Sequence, residues 1–417
     1  MTLEPVRGLR FIPASRRHLV VACARSHLLS DTDTQQWQRF SELYSSLLHF
    51  DFHRLQEAFK AAYAPLDPNA DTRNLLPAGS TDESEAELHE LLQRVLDKAN
   101  YEALGQADLQ RALQESSLFD LRLQVDFDDF DEVLLFCRGQ STRSETLLGW
   151  FGLRRREVTF TNYDRVVLYL KFRDDLVSEN PLCRPGATLL KLFQDVPKAD
   201  LEMLFPNTQV RMRLFDKLVL GVPAAIGGGI VVSTKLGGSL ILLASLAGYW
   251  LGAHNRPVHL DKAALVALMA GFGALALHFW KQFNNFKNRK LRFVQSLTQN
   301  LYFKNLDNNA GVFYRLLDEA EEEEGKEALL AYFFLWQAAS PMTREELDET
   351  IESWLSKQLG GPVDFEIDDA LQKLRRFQLV RQNQDARLEA TPIEKSLQLL
   401  DQHWDQLFPY AANPSYN

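Results

Sequence analysis

The sequence holds few groupings of residues that do chemistry, and each has a plain structural reading beside it. HFDFH sets His49 and His53 one helical turn apart, a spacing from which two imidazoles can reach one metal ion. Neither the glutamate of an HExxH motif nor a third ligand accompanies them, so they read as histidines on a helix surface. DFDDFDE at 126–132 gathers carboxylates that would attract a divalent cation, but it lacks the glycine and terminal glutamate of a calcium loop and reads as a solvated turn. GFGALA at 271–276 fits the spacing of a dinucleotide-binding turn, yet no strand precedes it, and helix packing accounts for its small residues. EEEEGKE contains Gly325 and Lys326, with Ala320 where a phosphate-binding loop needs its first glycine. The acid run from Asp318 to Glu324 is expected to be an exposed helix face. No nucleophile elbow and no paired Cys/His signature is present, so the reading leans away from an enzyme and assigns no catalytic residue, cofactor or metal ligand. LDNNAG is the exception that resists dismissal. Asp307, Asn308 and Asn309, with Asn300 and Asn305 nearby, concentrate donors and acceptors. Helix capping and a hydrogen-bonded hinge explain them, with a small polar ligand or ion as the alternative.

The elements that would position these residues fall into blocks. A chain of 417 residues with 46% apolar content can fill two or three cores, and its net charge of -10 makes nucleic acid an unlikely partner. Cys23, Cys137 and Cys183 are too scattered for a disulfide framework or a zinc site. The arginine-rich start, with Glu4 as its single acid, raises a presequence against an ordinary basic first helix. Apolar residues at helical spacing from Trp37 to Phe59 predict a helix over about 33–64, closed by the prolines of APLDPNAD. Further helices are predicted over 83–98 and 106–115. From residue 119, LFDLRLQVDF, DEVLLFCRG, EVTFTNY, DRVVLYLKF and ATLLKLFQDV predict about five strands, mostly antiparallel because the connections are short.

Three apolar stretches follow, at 218–234, 236–253 and 263–280, each near the minimum of about 17 residues for a membrane span. Ten of the 21 glycines fall here, and Gly221/Ala225, Gly248/Gly252 and Ala267/Gly271 form small-xxx-small pairs that let helices approach closely. Lys235 is the one charge between 218 and 253. Basic flanks on both sides, with no acid from 281 to 306, call for an even number of spans. Two spans are favoured and three remain open, with Lys235 either inside the membrane or in a turn. Beyond the membrane, the order helix, helix, helix, hairpin resembles a winged-helix domain, whose third helix begins with Asp364, Glu366, Asp368 and Asp369 and so suits protein contact better than DNA.

Several stretches carry a family resemblance. RFIPASRRHL, ANYEAL, VDFDDFDEVLLFCRG, YDRVVLYLKF, LFPNTQVRM and the long block NRKLRFVQSLTQNLYFKNLDNNAGVFYRLLDEAEEEEGKEALLAYFFLW resemble the uncharacterised membrane family called domain of unknown function 3754, which includes the transmembrane-protein-143-like proteins. The resemblance implies two spans and supplies no activity, substrate or catalytic residue. The expected architecture is therefore an α+β membrane protein. It comprises a helical N-terminal region (1–118), a small antiparallel sheet (119–212), a transmembrane hairpin (213–282), membrane-proximal helices (283–325) and a winged-helix-like domain (326–417). The expected function is a membrane-anchored scaffold at the cytoplasmic face, with lipid and a protein partner or second copy as its contacts, in a bacterial inner membrane or, in a eukaryote, an organellar one. The alternative is a subunit of an oligomeric channel or transport component lined by Lys235 and the glycine-rich helices.

Overall fold

The computed structural model describes residues 8–68, 81–105, 122–149, 154–176, 183, 185–211, 251 and 262–408. It is an α+β fold with, among the described residues, ten helices and a five-stranded antiparallel sheet. The chain divides into two compact units. One contains residues 1–115, 127–201 and 304–417, and the other 116–126 and 202–303.

In the first unit, α1 (Arg16–Ser26) starts at Ser15, whose side chain accepts from the His18 N–H. Helix α2 (Asp31–Tyr63) is capped in the same way by Ser30. It buries Trp37, Phe40, Tyr44, Leu47, Leu48, Phe52 and Phe59, the stripe its periodicity predicts, and it ends at Tyr63, two residues before Pro65. Helix α3 (Thr81–Lys98) buries Leu88, Leu92, Val95 and Leu96. The helix predicted over 106–115 lies outside the described residues.

The sheet runs in the order β1 (Glu102–Ala103), β3 (Phe130–Gly149), β4 (Arg154–Phe172), β5 (Thr188–Pro197), β7 (Asn305–Asn308). EVTFTNY and DRVVLYLKF, expected as separate strands, are one strand. β4 stays paired with β3 on both sides of Asp164 because Gly139 opposite it takes φ +72° and leaves room for the Asp164 side chain. Both sheet edges are short, which limits pairing with other chains. Val167, Tyr169, Leu190 and Leu192 join one core with α3 and with α5 (Ala310–Gln337). That last helix also differs from expectation. It runs unbroken through Gly325, where a new element was expected near residue 326, and the missing Cβ there leaves room for the Arg16 side chain.

Beyond α5, Met342 bridges to Leu388. Then come α6 (Arg344–Leu359), α7 (Ile367–Arg376), the hairpin β8 (Val380–Gln382) and β9 (Leu388–Ala390), and α8 (Ile393–Asp405). Thr343 and Glu346 form a capping box before α6, and Gly360 ends that helix at φ +75°.

In the second unit, β2 (Arg122–Gln124) pairs with β6 (Gln209–Arg211), so LFDLRLQVDF contributes to a separate two-stranded ladder and not to the main sheet. Helix α4 (Lys262–Lys304) has 43 residues. Among the described residues, no helix is long and apolar enough to cross a membrane. The stretches 218–234 and, apart from Leu251, 236–253 lie outside those residues, and 263–280 lies on α4, where only some side chains are described.

Candidate functional site

Helix α5 begins as an amphipathic helix, burying Val312, Phe313, Leu316, Leu317 and Ala320. From Glu323 to Leu335 it is buried on every side, packed among α1, α2, α3, α6 and α7. The expected exposed acidic face holds at Asp318 and is corrected at its end: Glu319, Glu321 and Glu322 are half-buried, and Glu323 and Glu324, with Lys326 and Glu327 beyond them, are only 2–5% exposed. Charges survive such burial only when each is paired and hydrogen-bonded, and here the partners come from several distant parts of the chain.

Lys326 donates to Glu323 at 2.6 Å and to the Ile12 carbonyl at 2.6 Å, while Glu323 accepts the Ile12 N–H at 3.2 Å. The N-terminal segment is thus clipped to α5 through both polar groups of one residue. Arg16 adds its backbone N–H to Glu322 and its guanidinium to Glu321 and Glu322. On the next face, Lys98 meets Glu324 at 2.6 Å, and Lys373 is shared by Glu324 (3.2 Å), Glu327 (2.9 Å) and Asp369 (3.0 Å). Asn100, held at φ +57°, donates from one amide to Glu327 and to the Arg10 carbonyl. Higher on α5, Glu319 accepts from Tyr101 at 2.7 Å and pairs with Arg138 at 2.9 Å, whose guanidinium lies over the rings of Phe11 and Tyr101.

Two lysines, Lys98 and Lys373, among three acids, Glu324, Glu327 and Asp369, leave an imbalance. Burial pushes the Glu327 carboxyl up to about 7 despite Lys373 and Asn100. Burial alone would lower the Lys373 ammonium, but Glu327, Glu324 and Asp369 hold it above the ordinary lysine range. A cleft of about 420 Å³ opens beside this network, lined by Arg10, Arg94, Asp97, Lys98, Tyr101 and Asp369 among others. Its mixed charge suits a small polar or zwitterionic molecule, with Glu327 behind it as a group able to hold or release a proton near neutral pH. Nothing among the lining residues is arranged as a nucleophile with its base.

The residues singled out from sequence separate into three sets. Lys235, Gly221, Ala225, Gly248 and Gly252 lie outside the described residues. Ala267, Gly271 and Asn300 lie on α4, with side chains outside what is described. Asn305, Asp307, Asn308 and Asn309 do come together at β5. The first three belong to β7, and Asn309 follows at φ +50°. Asn309 holds the N-cap position of α5, yet its side chain does not cap the helix. Its Oδ1 accepts the Leu190 N–H at 3.2 Å and its own N–H donates to the Leu190 carbonyl at 2.7 Å, so it closes the sheet edge. Asp307 pairs with Arg315. His49 contacts Glu321 at 2.9 Å, and among the described residues no third possible ligand gathers with it.

The buried network was missed because an acid run scores as solvated whatever surrounds it. The signal lay in its neighbours, since ALLAYFFLW continues the same helix without a polar face. The partners Ile12 and Arg16, Asn100 and Tyr101, and Arg138 come from RFIPASRRHL, ANYEAL and VDFDDFDEVLLFCRG, three stretches that carried the family resemblance.

The fold and the network define an α+β protein organised around one buried, ion-paired helix. Residues 163–311, from within β4 to the start of α5, match the family described as Protein of unknown function (DUF3754). No solved structure matches the chain.

Proposed function

We propose that this protein is a membrane-anchored interaction protein whose first unit works at the cytoplasmic face of an inner membrane, a bacterial one by preference. The observation that carries the reading is α4. Its described side chains Leu265, Val266, Met269, Leu277, Phe279, Trp280 and Phe283 are all more than half exposed, a concentration of apolar surface that water does not tolerate without a cover. A 43-residue helix is about 65 Å long, and its 263–280 portion, about 27 Å, is close to the apolar thickness of a bilayer. The basic residues Lys281, Lys287, Arg289, Lys290 and Arg292 then follow, as they do on the cytoplasmic side of a span.

Strand pairing supports an even count of crossings. β5 and β7 are hydrogen-bonded neighbours, with Lys191 opposite Asn308, so the chain returns near residue 305 to the sheet it left after residue 197. An odd number of spans between them would leave the two strands on opposite faces. The order of α5, the Met342 bridge, α6, α7, β8–β9 and α8 supports a winged-helix-like C-terminal domain. Its third helix is a poor DNA reader: Asp368 meets Arg344, Lys373 turns inward to Glu324 and Glu327, and Arg376 is taken by Asp51. A protein partner or a second copy suits that surface better.

Single-cysteine labelling in intact and opened vesicles tests the arrangement, on a background free of Cys23, Cys137 and Cys183. Probes at Glu42 and Glu349 are expected to label from the same side, with a probe at position 235 protected. Labelling of the first two from opposite sides would defeat the proposal. Protection at 235 combined with a stable oligomer in lipid would transfer the reading to a channel or transport subunit, because intramembrane lysines are rarely without a role.

A further inference from the structure

A second cluster, independent of the α5 network, brings together a histidine and two carboxylates. Glu85 and His89 stand at i and i+4 on α3, on one face, and Glu132 reaches them from the start of β3. Their ligand atoms all lie within 4.8 Å of one another, and all three side chains are partly buried. Glu132 is aimed by a local feature of the strand: the β3–β4 register shifts between Phe130 and Glu132. Such irregularities turn a side chain out of the regular pleat and are frequent beside functional sites.

Two further observations point to a ligand among these groups. His89 Nε2 is shut off from solvent and lies 3.1 Å from Glu132 Oε2, yet the pair does not meet hydrogen-bond geometry. A nitrogen and an oxygen at that separation without a hydrogen bond between them match the edge of a metal coordination polyhedron, where donors about 2.0–2.2 Å from the ion sit about 3.3 Å apart. Below them, Tyr169 is fully buried, and its ring meets the His89 imidazole edge to face at 4.8 Å. Its hydroxyl is close to Thr188 and Glu85 but forms a well-shaped hydrogen bond with neither, and both Glu85 and Glu132 act on it electrostatically. Lys171 holds one oxygen of Glu85 at 2.7 Å and leaves the other for a second partner.

We propose that Glu85, His89 and Glu132 bind one divalent first-row transition-metal ion of the zinc type. The imidazole favours such ions over calcium and magnesium, which take all-oxygen sets. Three protein donors leave one tetrahedral position for water or an outside ligand. Tyr169 and Lys171 then serve as outer partners that orient the carboxylates.

The test is titration of the metal-stripped full-length chain with Zn²⁺ by calorimetry and with Co²⁺ by visible absorption. One equivalent is expected, with a cobalt spectrum of low coordination number. H89A and E132Q should each weaken binding by more than about 100-fold, and Y169F by about 10-fold. H49A, which removes an exposed histidine beside an acid, should leave the affinity unchanged. Absence of a one-equivalent site in the unmodified protein overturns the proposal, as does unchanged affinity in H89A or E132Q. If H89A fails to fold, E132Q and the unmodified titration still decide.

Discussion

Helix α5 and helix α4 invert the usual rule in opposite directions. The first carries Glu323, Glu324, Lys326 and Glu327 in its buried part, and the second carries Leu265, Met269, Leu277 and Trp280 on its exposed part. Only the first departs from the sequence expectation: its acids suggested solvent, whereas the apolar run of the second suggested a membrane span, which is still the proposed cover. The difference lies in what the rest of the chain provides. For α5 the N-terminal segment, α3 and α7 deliver cations and amides to meet every acid. For α4, no covering element is seen among the described residues, and lipid is the proposed one.

If the pairing on α5 holds the first unit together, the largest effect comes from removing its shared cation. Lys373→Ala leaves Glu327 and Asp369 without their cation and Glu324 with Lys98 alone. An uncompensated buried charge is worth about 3–5 kcal/mol, so chemical denaturation should lose that much stability. A loss below about 1 kcal/mol would mean the network is solvated in solution and the contrast with α4 is weaker than the geometry implies.

Asn309 lies at the junction of the two helices. Replacing it with alanine removes the acceptor for the buried Leu190 N–H and leaves a left-handed backbone without the residue type that tolerates it. The expected cost is about 1–3 kcal/mol. Asn309→Gly restores backbone freedom but not the acceptor, so it should recover only part of the loss. Full recovery would show that the hydrogen bond to β5 contributes nothing.

Much of this architecture was legible in the sequence. The α2 stripe, its stop before the prolines of APLDPNAD and the C-terminal hairpin all depend on neighbours a few residues away, and local chemistry decides them. What could not be read depends on distant neighbours. Gly139 lets EVTFTNY and DRVVLYLKF run as one strand only because it faces Asp164. Gly325 has to be glycine because Arg16 lies where a Cβ would go, and Asn309 bonds to β5 where local rules predicted a helix cap. The end of the acid run is the clearest instance, since the burial of Glu323 involves a residue 311 positions away.

The pH response isolates Glu327 within the network. Its carboxyl titrates at about 7 when folded and near 4.5 when unfolded, because burial disfavours the charged form. Between those values the folded chain holds more protons than the unfolded one. Stability from this group therefore rises as pH falls from 7 toward 4.5 and is lost as pH rises through 7. The slope is at most about 1.4 kcal/mol per pH unit. Glu327→Gln should remove it, so the stability difference between the two proteins, measured from pH 5 to 8, should favour the unmodified chain more at the acid end. A constant difference would place Glu327 as ionised throughout and assign Lys373 to it in full.

The smallest effect on stability belongs to α4, and it is the most informative about that helix. Leu265, Met269 and Leu277 are exposed, so serine at all three removes little protein packing and should change the unfolding free energy by less than about 0.5 kcal/mol. Their cover, if it is lipid, is lost on release from the membrane. Flotation with vesicles should therefore fall steeply for the triple variant while denaturation of the first unit stays unchanged. If flotation holds and unfolding shifts instead, the apolar side chains are covered by protein, and α4 would be a packed helix like α5 and not its opposite.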